Sequence, residues 1–217
     1  MRRLTLAVLV LGALAAVPIV AGAAPPTHSL SLKSKPDPVV FHRAVTLSGK
    51  LTGNNHAGKT VVLQQDPYPY DHFNNAGLTT TTASNGSYSF TVHPPRNTRY
   101  RTKVGGTTSS VVTELVRIRV SLRLSDSTPA AGHRVRFFGR ACPQHDGATV
   151  KIQRFSKTLH RWVTKRRTVL LNIVGSTCSR YSRRLRVFHD GTFRTVVIPN
   201  DKDHARGFSR HRFINVH

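Results

Sequence analysis

The residues best placed to do chemistry are closely spaced cations. Lys165-Arg166-Arg167 and Arg183-Arg184 with Arg186 form two short basic stretches, and Arg180, Arg161 and Lys157 lie near them in sequence. On a strand, successive side chains point to opposite faces, so Arg184 and Arg186 share one face and Lys165 and Arg167 another. A guanidinium can hold two oxygens of a phosphate or carboxylate at once. Lys165, Arg166, Arg167, Arg180, Arg183, Arg184 and Arg186 are therefore the candidate polyanion contacts. The alternative is a solvated strand face with no specific ligand. Aromatic residues that could stack on bases are thinly interleaved, so nucleic acid is expected to bind only non-specifically.

A second candidate is the run Asp66-Pro67-Tyr68-Pro69-Tyr70-Asp71-His72-Phe73. Tyr68 and Tyr70 could form a recognition loop, since tyrosine offers rigid contact area and a hydroxyl. The competing reading is a loop packed on its own domain.

Catalysis is not expected. There is no GxSxG elbow and no HExxH, and Glu114 is the only glutamate, which excludes a paired-glutamate glycosidase site. The remaining enzymatic reading is an unrecognised Ser/His/Asp hydrolase. The 12 histidines are scattered and none forms HxH or a His–Cys cluster. Their expected effect is added positive charge below about pH 6.5. Asp201-Lys202-Asp203-His204 is the one acidic cluster, but calcium takes 6–8 oxygen ligands. The stretch reads as a turn before the last strand, and no metal or cofactor is expected.

Charge sets the broad class of partner. Residues 24–116 hold nine Lys/Arg against four Asp/Glu, whereas residues 117–217 hold twenty-two against five. A field of that sign raises encounter rates with wall polyphosphates, acidic polysaccharides or anionic headgroups. The competing explanation is compositional, because arginine outnumbers lysine 24 to 9. On that reading the protein is a passive spacer.

Residues 1–23 read as a secretory signal peptide: Arg2-Arg3, an apolar stretch from Leu4 to Val20, then Ala21-Gly22-Ala23. Cleavage would leave a flexible leader at 24–27. No later apolar segment approaches spanning length. Export implies an oxidising destination, so Cys142 and Cys178 are expected to pair, free thiols being the alternative. Two cysteines without CxxC spacing make a poor zinc signature.

The elements that must position these residues repeat. Gly58-Lys59-Thr60-Val61-Val62-Leu63-Gln64 returns 89 positions later as Gly147-Ala148-Thr149-Val150-Lys151-Ile152-Gln153, and Phe73 returns as Trp162. Val45, Leu47 and Gly49 match Val135, Phe137 and Gly139; Tyr88 matches Tyr181, and Tyr100-Arg101 matches Phe193-Arg194. Period-2 alternation dominates, as in Val116, Ile118, Val120, Leu122 and Leu124, which read as one long strand with an arginine face. Ser84-Asn85-Gly86 and Asp190-Gly191 read as turns, the latter as a hairpin between the Val187 and Phe193 strands. The fold expected is all-β: two tandem β-sandwich domains after a signal peptide, at 28–115 and 116–217, joined tightly.

G-x-T-V-x-[LI]-Q, an aromatic residue, a tyrosine-led strand and a closing [YF]-R, all occurring twice, resemble the bacterial Ig-like or fibronectin-III-like modules of exported proteins from high-GC Gram-positive bacteria. The resemblance implies that both domains are Ig-like β-sandwiches used for surface display, adhesion or spacing, and it implies no catalytic residues. It departs from antibody-type domains in its cysteines. Cys142 and Cys178 lie 36 apart with Trp162 midway, so the expected bridge is a local staple between a strand end and a later loop.

Overall fold

The computed structural model describes residues 28–217. The signal-peptide and leader readings fall on 1–27, outside the described residues. Those described are all-β. None of their helices is long and apolar enough to cross a membrane.

In the first half, one sheet holds β1 (Ser29–Leu30), β2 (Lys33–Lys35), β4 (Val45–Thr52) and β7 (Ser87–Val92). The other holds β5 (Thr60–Pro67), β6 (Asn74–Thr81), β8 (Thr98–Val104), β9 (Thr107–Thr108) and β10 (Val112–Glu114). The second half has the same plan. β12 (Arg119–Val120), β13 (Arg123–Leu124), β14 (Arg134–Cys142) and β17 (Ser179–Arg186) form one sheet. β15 (Thr149–Ser156), β16 (Arg161–Val169), β18 (Gly191–Ile198), β19 (Gly207–Phe208) and β20 (Arg212–Ile214) form the other. Between the halves, β3 (Val39–Val40) pairs in parallel with β11 (Val116–Arg117).

Burial follows the alternation. Val45, Leu47, Leu51, Tyr88 and Phe90 of one sheet share a core with Val61, Leu63 and Tyr100 of the other. In the second half Val135 and Phe137 meet Ile152 and Phe193. Two inward faces sharing one core define a sandwich.

A common hydrogen-bond network underlies the repeat. The Tyr88 hydroxyl donates to Ser31 O and so accepts from Thr102 Oγ1 at 2.7 Å. Tyr181 donates to Ser121 O at 2.7 Å, with Thr195 Oγ1 at 3.0 Å. Gly49 and Gly139 are required by this closure, since a Cβ at either would overlap that serine carbonyl and the tyrosine hydroxyl. Arg101 Nε donates to Gln64 Oε1 at 2.8 Å and stacks on Phe73; Arg194 Nε donates to Gln153 Oε1 at 2.9 Å and stacks on Trp162. Several of the sequence landmarks are thus members of two polar contacts, each made in both halves.

Two local readings change. The run from Val116 to Leu124 keeps its alternating burial but breaks into β11, β12 and β13. Its partners change along its length: β3 first, then Ala205, then the end and finally the middle of β14. Asp190-Gly191 is not a hairpin, because β17 and β18 belong to opposite sheets. The segment crosses between layers, and Asp190 Oδ1 accepts from Val216 N at 2.6 Å.

Cys142 and Cys178 are bonded, joining the end of β14 to the loop before β17. The pair next along this ladder is Ala141 opposite Ser179, so the bridge staples one sheet, as the sequence led us to expect.

Candidate polyanion-binding face

β14 and β17 run antiparallel in a register that sets arginine against arginine. Arg134 is opposite Arg186, Arg136 opposite Arg184, and Arg140 opposite Arg180. All six are exposed, alternating with buried Val135, Phe137, Ala141 and Tyr181. Like charges directly opposite on a sheet repel. Nothing neutralises them locally. Among the described residues every ion pair is histidine–aspartate, and no lysine or arginine lies within 4.0 Å of a carboxylate.

The first half shows what the scaffold requires without this charge. The pairs equivalent to Arg136–Arg184 and Arg140–Arg180 are Thr46–Thr91 and Lys50–Ser87. The Ser48–Ser89 pair between them corresponds to Phe138–Ser182. The uncharged Thr46–Thr91 pair and the singly charged Lys50–Ser87 pair satisfy the same ladder, so paired arginines are not demanded by the fold.

The basic face continues around the open edge of the sandwich. Arg183 falls on the inward parity of β17, opposite Phe137, yet it is exposed. Arg166 on β16 falls opposite buried Ile152 and is also exposed. Both sit on edge strands of their sheets, and together with Arg134, Arg184, Leu185 and Arg186 they line one open groove. The corresponding strands of the first half, β6 and β7, carry only Thr, Ser and Asn as polar residues.

The structure therefore brings Arg166, Arg183, Arg184 and Arg186 together. Arg180 lies further along the ladder, in a hollow with Arg123, Arg136 and Arg140. Lys165 occupies the register shift between β15 and β16 and borders an adjoining hollow that shares Leu185, Arg186 and Phe188 with the groove. Arg167 is opposite Lys151. The sequence reading omitted Arg134, Arg136 and Arg140. Their signal was the alternation Arg134-Val135-Arg136-Phe137, but only the β14–β17 register shows that they face Arg186, Arg184 and Arg180.

Not every arginine on the surface is free to bind. Arg194 lies between the rings of Trp162 and Phe208, and burial lowers its pKa. Arg136 also lies over a ring, that of Phe138 at 4.5 Å, but it stays exposed on the sheet face.

Tyr68 and Tyr70 meet edge to face at 5.4 Å, and the Arg99 guanidinium covers the Tyr70 ring at 4.1 Å. Both are half-buried, and burial pushes the Tyr70 hydroxyl above its ordinary pKa. The loop is anchored through Tyr68 N to Asn97 O at 2.9 Å. The Asp201–His204 stretch is a bend that reaches His145 in the loop after β14, a distant residue that sequence spacing could not associate with it.

No family model matches the chain, and no curated protein matches it. Among solved structures it is similar to a mutant Salmonella alpha-2-macroglobulin, with a TM-score of 0.37 and 10% identity. The alignment covers 90% of this chain, which spans 16% of the length of that one.

Proposed function

We propose that the chain is an exported, non-enzymatic Ig-like or fibronectin-III-like protein whose second sandwich binds anionic polymers, serving adhesion or cell-wall association. The observation that carries this reading is the cross-strand arginine ladder standing where the first sandwich has Thr46–Thr91 and Lys50–Ser87. Uncompensated like charges cost stability in the free protein and are relieved when a polyanion supplies phosphate or carboxylate oxygens. Binding would release condensed counterions and weaken steeply with salt. The Cys142–Cys178 bond fits an oxidising, extracellular destination.

The test is retention on immobilised polyphosphate or heparin. Replacing Arg134, Arg136, Arg184 and Arg186 by threonine should lower the eluting salt concentration far more than neutralising exposed Arg43, Arg96, Arg119 and Arg210. Equal effects would indicate that only net charge matters, the behaviour of a passive spacer. Salt-independent retention would remove the proposal.

A further inference from the structure

Four side chains from two loops converge at the seam between the sandwiches. His145 comes from the loop after β14, and Asp201, Asp203 and His204 from the loop joining β18 to β19. One ligand-capable atom of each lies within 4.8 Å of all the others. His145 Nε2 is 3.3 Å from Asp201 Oδ2 and 3.6 Å from Asp203 Oδ1. His204 Nδ1 is 2.7 Å from Asp203 Oδ1. The His145 side chain is only 2% exposed, and its Nε2 is buried with no hydrogen-bond partner.

Counting donors shows what the cluster lacks. His145 Nδ1 faces Pro143 O at 3.0 Å. A carbonyl only accepts, so Nδ1 carries a hydrogen, which leaves Nε2, aimed at the two carboxylates, as the ring atom open to a cation. His204 does the same with its nitrogens exchanged: Nε2 donates to Pro95 O at 2.8 Å, and Nδ1 faces Asp203. Two imidazole nitrogens and two carboxylates directed at one point call for positive charge there, supplied by protons on the rings or by a metal ion that displaces them. Pinning the outer N–H to a backbone carbonyl is also how metal-bound histidines are held in tautomer and orientation.

The loop that supplies three of the four residues is an addition peculiar to the second half. In the first sandwich Thr102 N donates to Ser109 Oγ, 7 residues on; the equivalent Thr195 N donates to Ser209 Oγ, 14 residues on. The extra length carries Asp201, Asp203 and His204. It is fastened to the first sandwich: Asn97 N donates to Asp203 O at 2.8 Å and Asn97 Nδ2 to Lys202 O at 2.9 Å.

We propose that His145 Nε2, Asp201 Oδ2, Asp203 Oδ1 and His204 Nδ1 form a four-coordinate site for Zn2+ or a similar first-row divalent ion, which fixes the second-half loop that Asn97 fastens to the first sandwich. Tetrahedral bonds of about 2.0–2.1 Å place ligand atoms roughly 3.3 Å apart. The His145–Asp201 and His145–Asp203 separations already approach that value; on binding the Asp203–His204 contact opens by about half an ångström and the wider pairs, up to 4.8 Å apart, close toward it. Two imidazole nitrogens favour a borderline ion over calcium, which prefers six or more oxygens. The site is independent of the arginine face.

The experiment uses the whole chain, without a histidine tag and stripped by a chelator, titrated with Zn2+ by calorimetry. One ion per chain, a higher Tm with Zn2+ present and the visible absorption of tetrahedral Co2+ are the expected results. His145→Gln and Asp203→Asn should each weaken binding at least tenfold, while His93→Gln and His133→Gln leave it unchanged. If His145→Gln fails to fold, Asp201→Asn, at the more exposed carboxylate, carries the same comparison. No saturable Zn2+ binding, binding unaffected by these ligand substitutions, or a preference for Ca2+ would overturn the proposal.

Discussion

Arg136 stands directly opposite Arg184 across β14 and β17, at the place where the first sandwich sets Thr46 opposite Thr91. The same ladder carries two cations in one copy and two hydroxyls in the other. Since the threonine pair shows that the sheet closes without charge, the arginine pair trades stability for surface potential.

That trade is measurable. Arg136→Thr with Arg184→Thr should raise unfolding stability by about 0.2–1 kcal/mol at low salt, because a repulsive cross-strand pair is removed. The gain should shrink as salt screens the repulsion. Urea denaturation at two ionic strengths checks it. The same variant should elute from polyphosphate at lower salt, so stability and binding move in opposite directions.

The single glutamate gives a pH dependence. Glu114 is 0% exposed; its Oε1 accepts from Val39 N at 3.0 Å, and its Oε2 has no partner. Burial pushes its pKa from 4.5 to about 7. The fold therefore holds a proton that the unfolded chain releases. This stability is fully present below pH 4.5, declines as pH rises, and is lost above about pH 7, a change of the order of 3 kcal/mol. Glu114→Gln should flatten that part of the stability–pH curve, as followed by thermal unfolding from pH 4 to 8.

Reducing the Cys142–Cys178 bond should lower stability by about 4 kcal/mol, from the entropy of closing a loop of that length. Its effect should concentrate on β14 and β17, the strands that it staples and that carry the arginine ladder. Hydrogen exchange with and without reductant would show faster exchange at Ala141 and Ser179, with β5 and β8 unchanged.

The tyrosine closure predicts matched losses in the two halves. Tyr88→Phe strands the Ser31 carbonyl and Thr102 hydroxyl, and Tyr181→Phe strands Ser121 O and Thr195. Each should cost about 1–3 kcal/mol, the penalty for leaving buried polar groups unpaired. Gly139→Ala should cost more, because its Cβ would overlap Ser121 O and backbone must move. Denaturant titration of the three variants ranks them.

The sequence alone determined the all-β class and the positions that recur between the halves. Alternation fixes which residues face inward, and a closure as demanding as Gly49–Tyr88–Ser31 leaves the same residue types at both copies. It also marked Arg184 and Arg186 as sharing a face, and Cys142 and Cys178 as a pair. What it could not supply was the register between distant strands. Sequence places Arg136 and Arg184 48 positions apart, and only the β14–β17 ladder sets them opposite each other. The same limit hid the turn at Asp190-Gly191, where a local hairpin signal is overridden because the flanking strands join opposite sheets. It also hid His145, which meets Asp201, Asp203 and His204 only because the fold brings two loops to one seam. Local pattern encodes which way a side chain points, whereas what it points at depends on contacts closed across long stretches of chain.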